Sequence, residues 1–187
     1  RPHPRVVELA YGRLALAAEV AAFAELHPAP DAGAALIVAA EVRAAVSTAV
    51  RAQLDGGGPA AQLVGPRGSG RRSLALAAAA AAGRAAIVVS GEALANAADV
   101  GALAAALVRE ARLFEAVLIF ADLDRIVFDP RTPGDRARSL DAHLRHAWVP
   151  VVFTTRPGGG AALLPSRGAI PIDVPPPSIA EQTQLWQ

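Results

Sequence analysis

The sequence predicts an α/β fold, a three-layer sandwich in which helices cover both faces of a five-stranded parallel sheet, preceded by an N-terminal helix. Three observations carry this reading. Short runs that are apolar throughout, such as Ala85 to Ser90 and Ala116 to Ala121, alternate with longer stretches of helical periodicity. Strands buried on both faces read that way, whereas a sheet with one wet face alternates polar and apolar residues. A glycine-rich turn, Gly65 to Gly70, joins one apolar run to an alanine-rich helix, and Asp122 and Asp124 follow another run directly. In an open parallel sheet ligands gather at the carboxyl ends of the strands, where both features fall.

Taken in order, Val6, Val7, Leu9, Ala10, Leu14, Leu16, Val20, Phe23 and Leu26 recur near helical spacing and predict one helix over residues 6 to 27. His27-Pro28-Ala29-Pro30 ends it, because proline disfavours helix in the residue before it. Residues 1–30 therefore read as a separate N-terminal helical segment and residues 31–187 as the main domain. Ala35 to Val38 reads as a short strand or extended entry. Glu41 to Leu54 is a helix closed by Asp55-Gly56-Gly57-Gly58-Pro59.

The first sheet strand is Ala61 to Val64, followed by the glycine turn and a helix from Leu74 to Ala82. After the strand at 85–90 comes a helix from Val100 to Arg112, then the apolar run ending at Ala121. A loop with Asp129-Pro130 and Thr132-Pro133-Gly134 precedes a helix from about residue 136 to 146. Val149 to Thr155 and Ile170 to Val174 are the fourth and fifth strands, with Gly158-Gly159-Gly160 opening the loop between them. Ser178 opens a last helix, with Glu181 at capping-box spacing.

Composition narrows the function. A net charge of +1 marks neither a nucleic-acid coat nor a membrane-surface binder. Cysteine is absent, which excludes disulfides and cysteine-ligated zinc. No apolar run reaches the roughly 18 residues that a membrane-spanning helix needs, and a cytoplasmic location is expected. All 18 basic residues are arginine, a bias that with the weight of alanine suggests a GC-rich genome. There is no methionine, even at position 1, so a longer parent product is expected.

The spacing Gly65-x4-Gly70 is that of the phosphate-binding P-loop, G-x-x-x-x-G-K-[ST]. Glycines let the loop curl so that successive N–H groups face one phosphate, and the helix that follows adds its dipole. Gly65, Pro66, Gly68, Ser69, Gly70, Arg71, Arg72 and Ser73 are the candidate nucleotide-binding residues. Arg71 stands where lysine is expected, and Arg72 where a Mg²⁺-binding hydroxyl belongs. Ser73 supplies a hydroxyl one residue late, a rotation of about 100° on a helix. Two other readings stay open. Gly68, Gly70 and Ser73 approach a dinucleotide-binding G-x-G-x-x-G that lacks its third glycine, with Glu92 available to a ribose. A plain glycine turn is the other.

With these stations in order, the chain resembles the large α/β subdomain of an AAA+ ATPase over residues 31 to 187. Gly65-Pro66-Arg67-Gly68-Ser69-Gly70 resembles the family's G-P-P-G-T-G. Val117 to Asp124, VLIFADLD, resembles its Walker B strand ILFIDEID, and Val151 to Pro157, VVFTTRP, its sensor-1 strand. Arg167 to Pro177 fits the family's R-F-D-R-V-I-x-x-P-x-P without a gap. The resemblance implies ATP or ADP as ligand, Thr155 as the sensor position and Arg167 as an arginine finger. It also implies a helical lid, expected here to be absent or truncated.

The same alignment implies damaged chemistry. Ala121 replaces the Walker B aspartate and Asp122 the glutamate. Shifting by one makes Asp122 the metal-side carboxylate but leaves Leu123 at the base. Asp122 is the candidate catalytic carboxylate together with Arg167, and Asp122 and Asp124 are the candidate metal ligands, although Mg²⁺ is poorly provided for. The expected function is a degenerate AAA+ module for assembly or regulation of an ATP-driven complex, of the kind found as the first module of two-module proteins associated with contractile injection systems. Its expected partners are copies of itself in a ring or a neighbouring active module. The alternatives are an active ATPase subunit and a Rossmann-type dinucleotide domain. His143 and His146 lie three apart but read as a solvated helix face, while Trp148 and Trp186 read as core or interface anchors.

Overall fold

The computed structural model describes residues 3–12, 14–29, 39–128, 134–159 and 163–177. The readings placed on residues 35–38, 129–133, 160, 178, 181 and 186 fall outside them.

The five expected strands are present: β2 (Ala60–Val64), β3 (Ala86–Ser90), β4 (Val117–Ala121), β5 (Val151–Thr155) and β6 (Ala169–Asp173). A sixth, β1 (Ala24–His27), completes a sheet in the order β1-β3-β4-β5-β2-β6. All neighbours run parallel except β1, which pairs antiparallel with β3, Ala24 opposite Val89 and His27 opposite Ala86.

The single helix expected over residues 6–27 is thus corrected to three pieces: α1 (Pro4–Ala10), α2 (Ala18–Ala21) and β1. The turn at Tyr11-Gly12 stops α1, with Gly12 at φ +81° and its N–H on the Leu9 carbonyl. In β1, Ala24 turns toward the core while Glu25 faces solvent, a period of two. Val20, Phe23 and Leu26 mimic a helical stripe because three-residue spacing serves either element over so short a run.

Helices α3 (Ala40–Gly56) and α4 (Arg71–Ala81) cover one face of the sheet. The other carries α5 (Gly91–Asn96), α6 (Val100–Leu113), a 3-10 helix at Leu123–Phe128 and α7 (Asp135–Leu144). Alternate strand residues feed the two cores. Ile87, Val89, Leu118, Phe120 and Phe153 pack toward α6. Leu63, Val88, Val117, Ile119 and Val152 pack toward Leu74, Ala75, Ala78 and Ala79 of α4. Small side chains on α4 let its axis lie close to the sheet, which sets the helix start beside the strand ends. Among the described residues no helix is long and apolar enough to cross a membrane.

A buried ion pair ties α1 down. Arg5 Nε donates to both carboxylate oxygens of Glu110 on α6, at 3.0 and 2.9 Å, and Ala17 N–H adds a third bond at 3.2 Å. The Glu110 hydrogen bond holds the Arg5 guanidinium above its ordinary range against the opposing effect of burial. Glu110 is fully buried, and removing Arg5 would leave its charge with only the longer contact to Arg109 Nε at 3.4 Å and the Ala17 N–H. Arg5→Ala should therefore cost about 3–5 kcal/mol, whereas Arg5→Met with Glu110→Leu should recover most of that loss. Urea denaturation of the single and double variants checks both outcomes.

Candidate functional site

The cleft begins where β2 gives way to α4. The Gly65 N–H donates to the Thr155 carbonyl at 3.2 Å, and the Val174 N–H donates to the Val64 carbonyl at 2.7 Å. A Cβ at Gly65 would lie 2.3 Å from the Val174 carbonyl oxygen and 2.8 Å from Ser69 Oγ, so no side chain fits there. Gly68 and Gly70 turn through left-handed conformations, φ +83° and +81°, into the helix. Gly70 caps α4 without a side chain, which leaves the first-turn N–H groups to face an open cleft of about 480 Å³.

The first residue of α4 does not extend into that space. Arg71 is 6% exposed; one Nη donates to the Thr155 carbonyl and the other to Asp122 Oδ1 at 3.0 Å. Asp122 is in turn fixed from two further sides. Its N–H donates to Thr154 Oγ1 at 2.8 Å, and its carbonyl approaches Gly91 so closely that a Cβ there would lie 2.2 Å away. Its backbone adopts φ +50°, a conformation that costs a non-glycine residue of order 1–3 kcal/mol and that gathers at functional sites.

The other expected site residues divide. Pro66 and Arg67 form the outer turn of the loop, and Ser73 is exposed at the rim of the cleft. Arg72 is half-exposed and reaches away to Glu25 on β1. That hydrogen bond, ahead of its charge, holds the Glu25 carboxyl below its ordinary range. A depressed carboxylate stabilises the fold above its unfolded pKa, so this pair's contribution fades as pH falls through the acidic range, and exposure keeps it small.

Asp122 and Asp124 are not brought together as ligands of one ion. Asp124 is 4% exposed at the start of the 3-10 helix, accepts from Arg156 Nε at 2.8 Å and does not line the cleft. Thr155 also misses it: fully buried, it accepts from Gln62 Nε2 at 3.0 Å on the opposite face of the sheet. Successive strand residues alternate faces, so Thr154 takes the cleft side that sequence reasoning gave to Thr155. Thr155 contributes its carbonyl instead.

Arg167 sits at the other end of the sheet with its guanidinium turned inward. It donates to the Ala147 and Val149 carbonyls at 2.7 and 2.6 Å, and to Gln53 Oε1 at 3.2 Å. Burial pulls it below the ordinary arginine range. The residue expected to reach a neighbour's ligand is here a strut between α3, α7 and β5. Trp148, read as a core or interface anchor, is 81% exposed and so not part of the core.

Sequence reasoning set Thr154 and Thr155 together at the ligand end of the sheet but gave the sensor role to Thr155, and it missed Arg125. Arg125 lies three residues after Asp122 and pairs with Glu92 across the cleft. Four arginines, Arg67, Arg71, Arg72 and Arg125, line the cleft against two carboxylates, Glu92 and Asp122. The arrangement suits an anion. Among the described residues there is no cluster of three or more histidines or acidic groups that could hold a metal ion.

Gly65→Ala should cost about 1–3 kcal/mol by forcing the loop off the end of β6. Gly56→Ala, which meets nothing within 4 Å at the end of α3, should stabilise by about 0.4–1 kcal/mol. Thermal unfolding of the two variants side by side distinguishes close approach from glycine content.

No protein-family model and no curated protein matches this sequence. Among solved structures the chain is similar to the AAA domain of FIGL-1, with a TM-score of 0.74 and 14% identity over 99% of this chain and 67% of that one. The same domain in complex with ADP gives 0.70 and 16% identity over 100% and 66%. A katanin structure, described in terms of katanin self-assembly, gives 0.66 and 20% identity over 94% and 65%. This likeness shows an AAA+ ATPase-like fold. The chain spans about two thirds of the length of the structures it matches.

Proposed function

We propose that this chain is a degenerate AAA+ P-loop domain that serves assembly or regulation of an ATP-driven complex and does not hydrolyse nucleotide efficiently. The observation that carries the reading is the 3.0 Å bond between Arg71 and Asp122. Phosphoryl transfer needs a cation on the β/γ-phosphates and a carboxylate to orient the attacking water. The two residues that occupy those positions here neutralise one another. Asp124, the remaining carboxylate of the motif, is committed to Arg156 outside the cleft.

Nucleotide binding is a separate question from turnover. The glycine loop and the first-turn N–H groups fit a phosphate, and a similar domain is known with ADP. The residues do not fit Mg²⁺. Arg72 holds the place of the hydroxyl ligand, and Ala121 presents a methyl group at the end of β4. Each transition-state donor lost from a preorganised site costs about 2.7–4 kcal/mol, or roughly 10²–10³ in rate.

The partner that suits such a domain is a second copy in a ring or an adjacent active module, in keeping with the self-assembly described for katanin. A first module of a two-module AAA+ protein of contractile-injection type is the setting in which that role recurs. Steady-state phosphate release by the purified chain with ATP and Mg²⁺ should stay at background. Turnover near 1 s⁻¹, about the lower end of ordinary enzyme rates, would return the chain to the active ATPases.

A further inference from the structure

We infer that the cleft takes its nucleotide as the metal-free polyanion, and that Mg²⁺ opposes binding instead of supporting it. The inference rests on the reading of the glycine loop as a phosphate site and names the form of the ligand that site accepts. It starts from what surrounds the loop. Ser69 Oγ is buried inside the glycine loop, packed over Gly65, with no hydrogen-bond partner. Arg67, at the tip of the loop, lines the cleft and has no acidic partner among the described residues. Arg72 and Arg125 stand on either side of it, each held only by an exposed carboxylate, Glu25 or Glu92.

The cleft sets four arginines against two carboxylates, and each of the two is already paired with an arginine, Asp122 with Arg71 and Glu92 with Arg125. Arg72 takes the position in the first turn of α4 where the motif carries a hydroxyl, and its side chain, held by Glu25, offers an ion a positive charge and no oxygen ligand. Asp122 already has its charge answered by Arg71 at 3.0 Å. A divalent ion entering here would lie among arginines with no free carboxylate to receive it.

The electrostatics then decide the ligand. Free ADP and ATP present their full phosphate charge to the arginines, and guanidinium forks match phosphate oxygens in pairs. Mg²⁺ on the same phosphates cancels two of those charges and adds its own repulsion from Arg72. At contact distances in water one unit charge changes affinity about fivefold and two about thirtyfold, so the divalent ion should weaken binding on the order of tenfold.

Equilibrium dialysis of the chain with ADP, in excess EDTA and in excess Mg²⁺ at matched ionic strength, tests this. The expected result is affinity about tenfold tighter in EDTA. Equal or tighter binding in Mg²⁺, or no binding in either buffer, would overturn the inference while leaving the non-hydrolysing reading to its own phosphate-release test. Arg72→Ser, a change at a half-exposed position that folding should tolerate, is expected to bring the two affinities together. A variant that kept the full preference for EDTA would remove Arg72 from the argument and the inference with it.

Discussion

The cleft depends on a single crossing of charge. Arg71, at the first turn of α4, reaches over the ends of two strands and closes on the Thr155 carbonyl of β5 and the Asp122 carboxylate just past β4. The carboxyl ends of a parallel sheet leave carbonyls and loop residues without ladder partners, and a buried arginine with several donors can satisfy them. A lysine could offer one compact ammonium to a phosphate from the same position; the guanidinium fork instead spans two strands at once. The same residue that would have served the ligand serves the fold. Pairs of this kind are strongly destabilising to break and only modestly stabilising to have, because desolvation offsets most of the attraction. Drawing Arg71 toward a phosphate would therefore mean giving up its bonds to Asp122 and to the Thr155 carbonyl.

Much of this architecture was legible because parallel strands leave a plain trace. Runs such as Val117 to Phe120 and Val151 to Thr155 are buried at every residue, as strands covered on both faces must be. The glycine loop was legible too, since Gly65 and Gly70 keep the spacing that a close approach and a left-handed turn require. What escaped notice was whatever depends on side-chain direction. Thr154 and Thr155 are chemically identical and adjacent, and only the pleat decides which one meets the cleft. Nothing along the chain announces that Arg167 turns inward onto Gln53, or that Arg156 takes Asp124. The short edge strand β1 escaped for another reason: four residues are too few for period two to outweigh a fortuitous helical stripe.

Among the described residues the N-terminal segment reaches the cleft through the Arg72–Glu25 pair, and magnitudes decide what that contact can do. Arg72 bridges from α4 to Glu25 on β1, so a phosphate drawing on Arg72 would compete with Glu25. Both side chains are largely solvated, and exposed pairs contribute about 0–1 kcal/mol. The same segment is held far more firmly elsewhere, by the β1–β3 ladder and by Arg5 on the buried Glu110. Losing Glu25 as a partner would thus free Arg72 at little cost without undocking β1. Arg72 is consequently easily recruited by an anion, whereas Arg71, deeper and twice bound, stays where the fold has put it. That ordering of commitments, a loose Arg72 and a fixed Arg71, supports the proposed reading of the cleft as an anion site that does not catalyse.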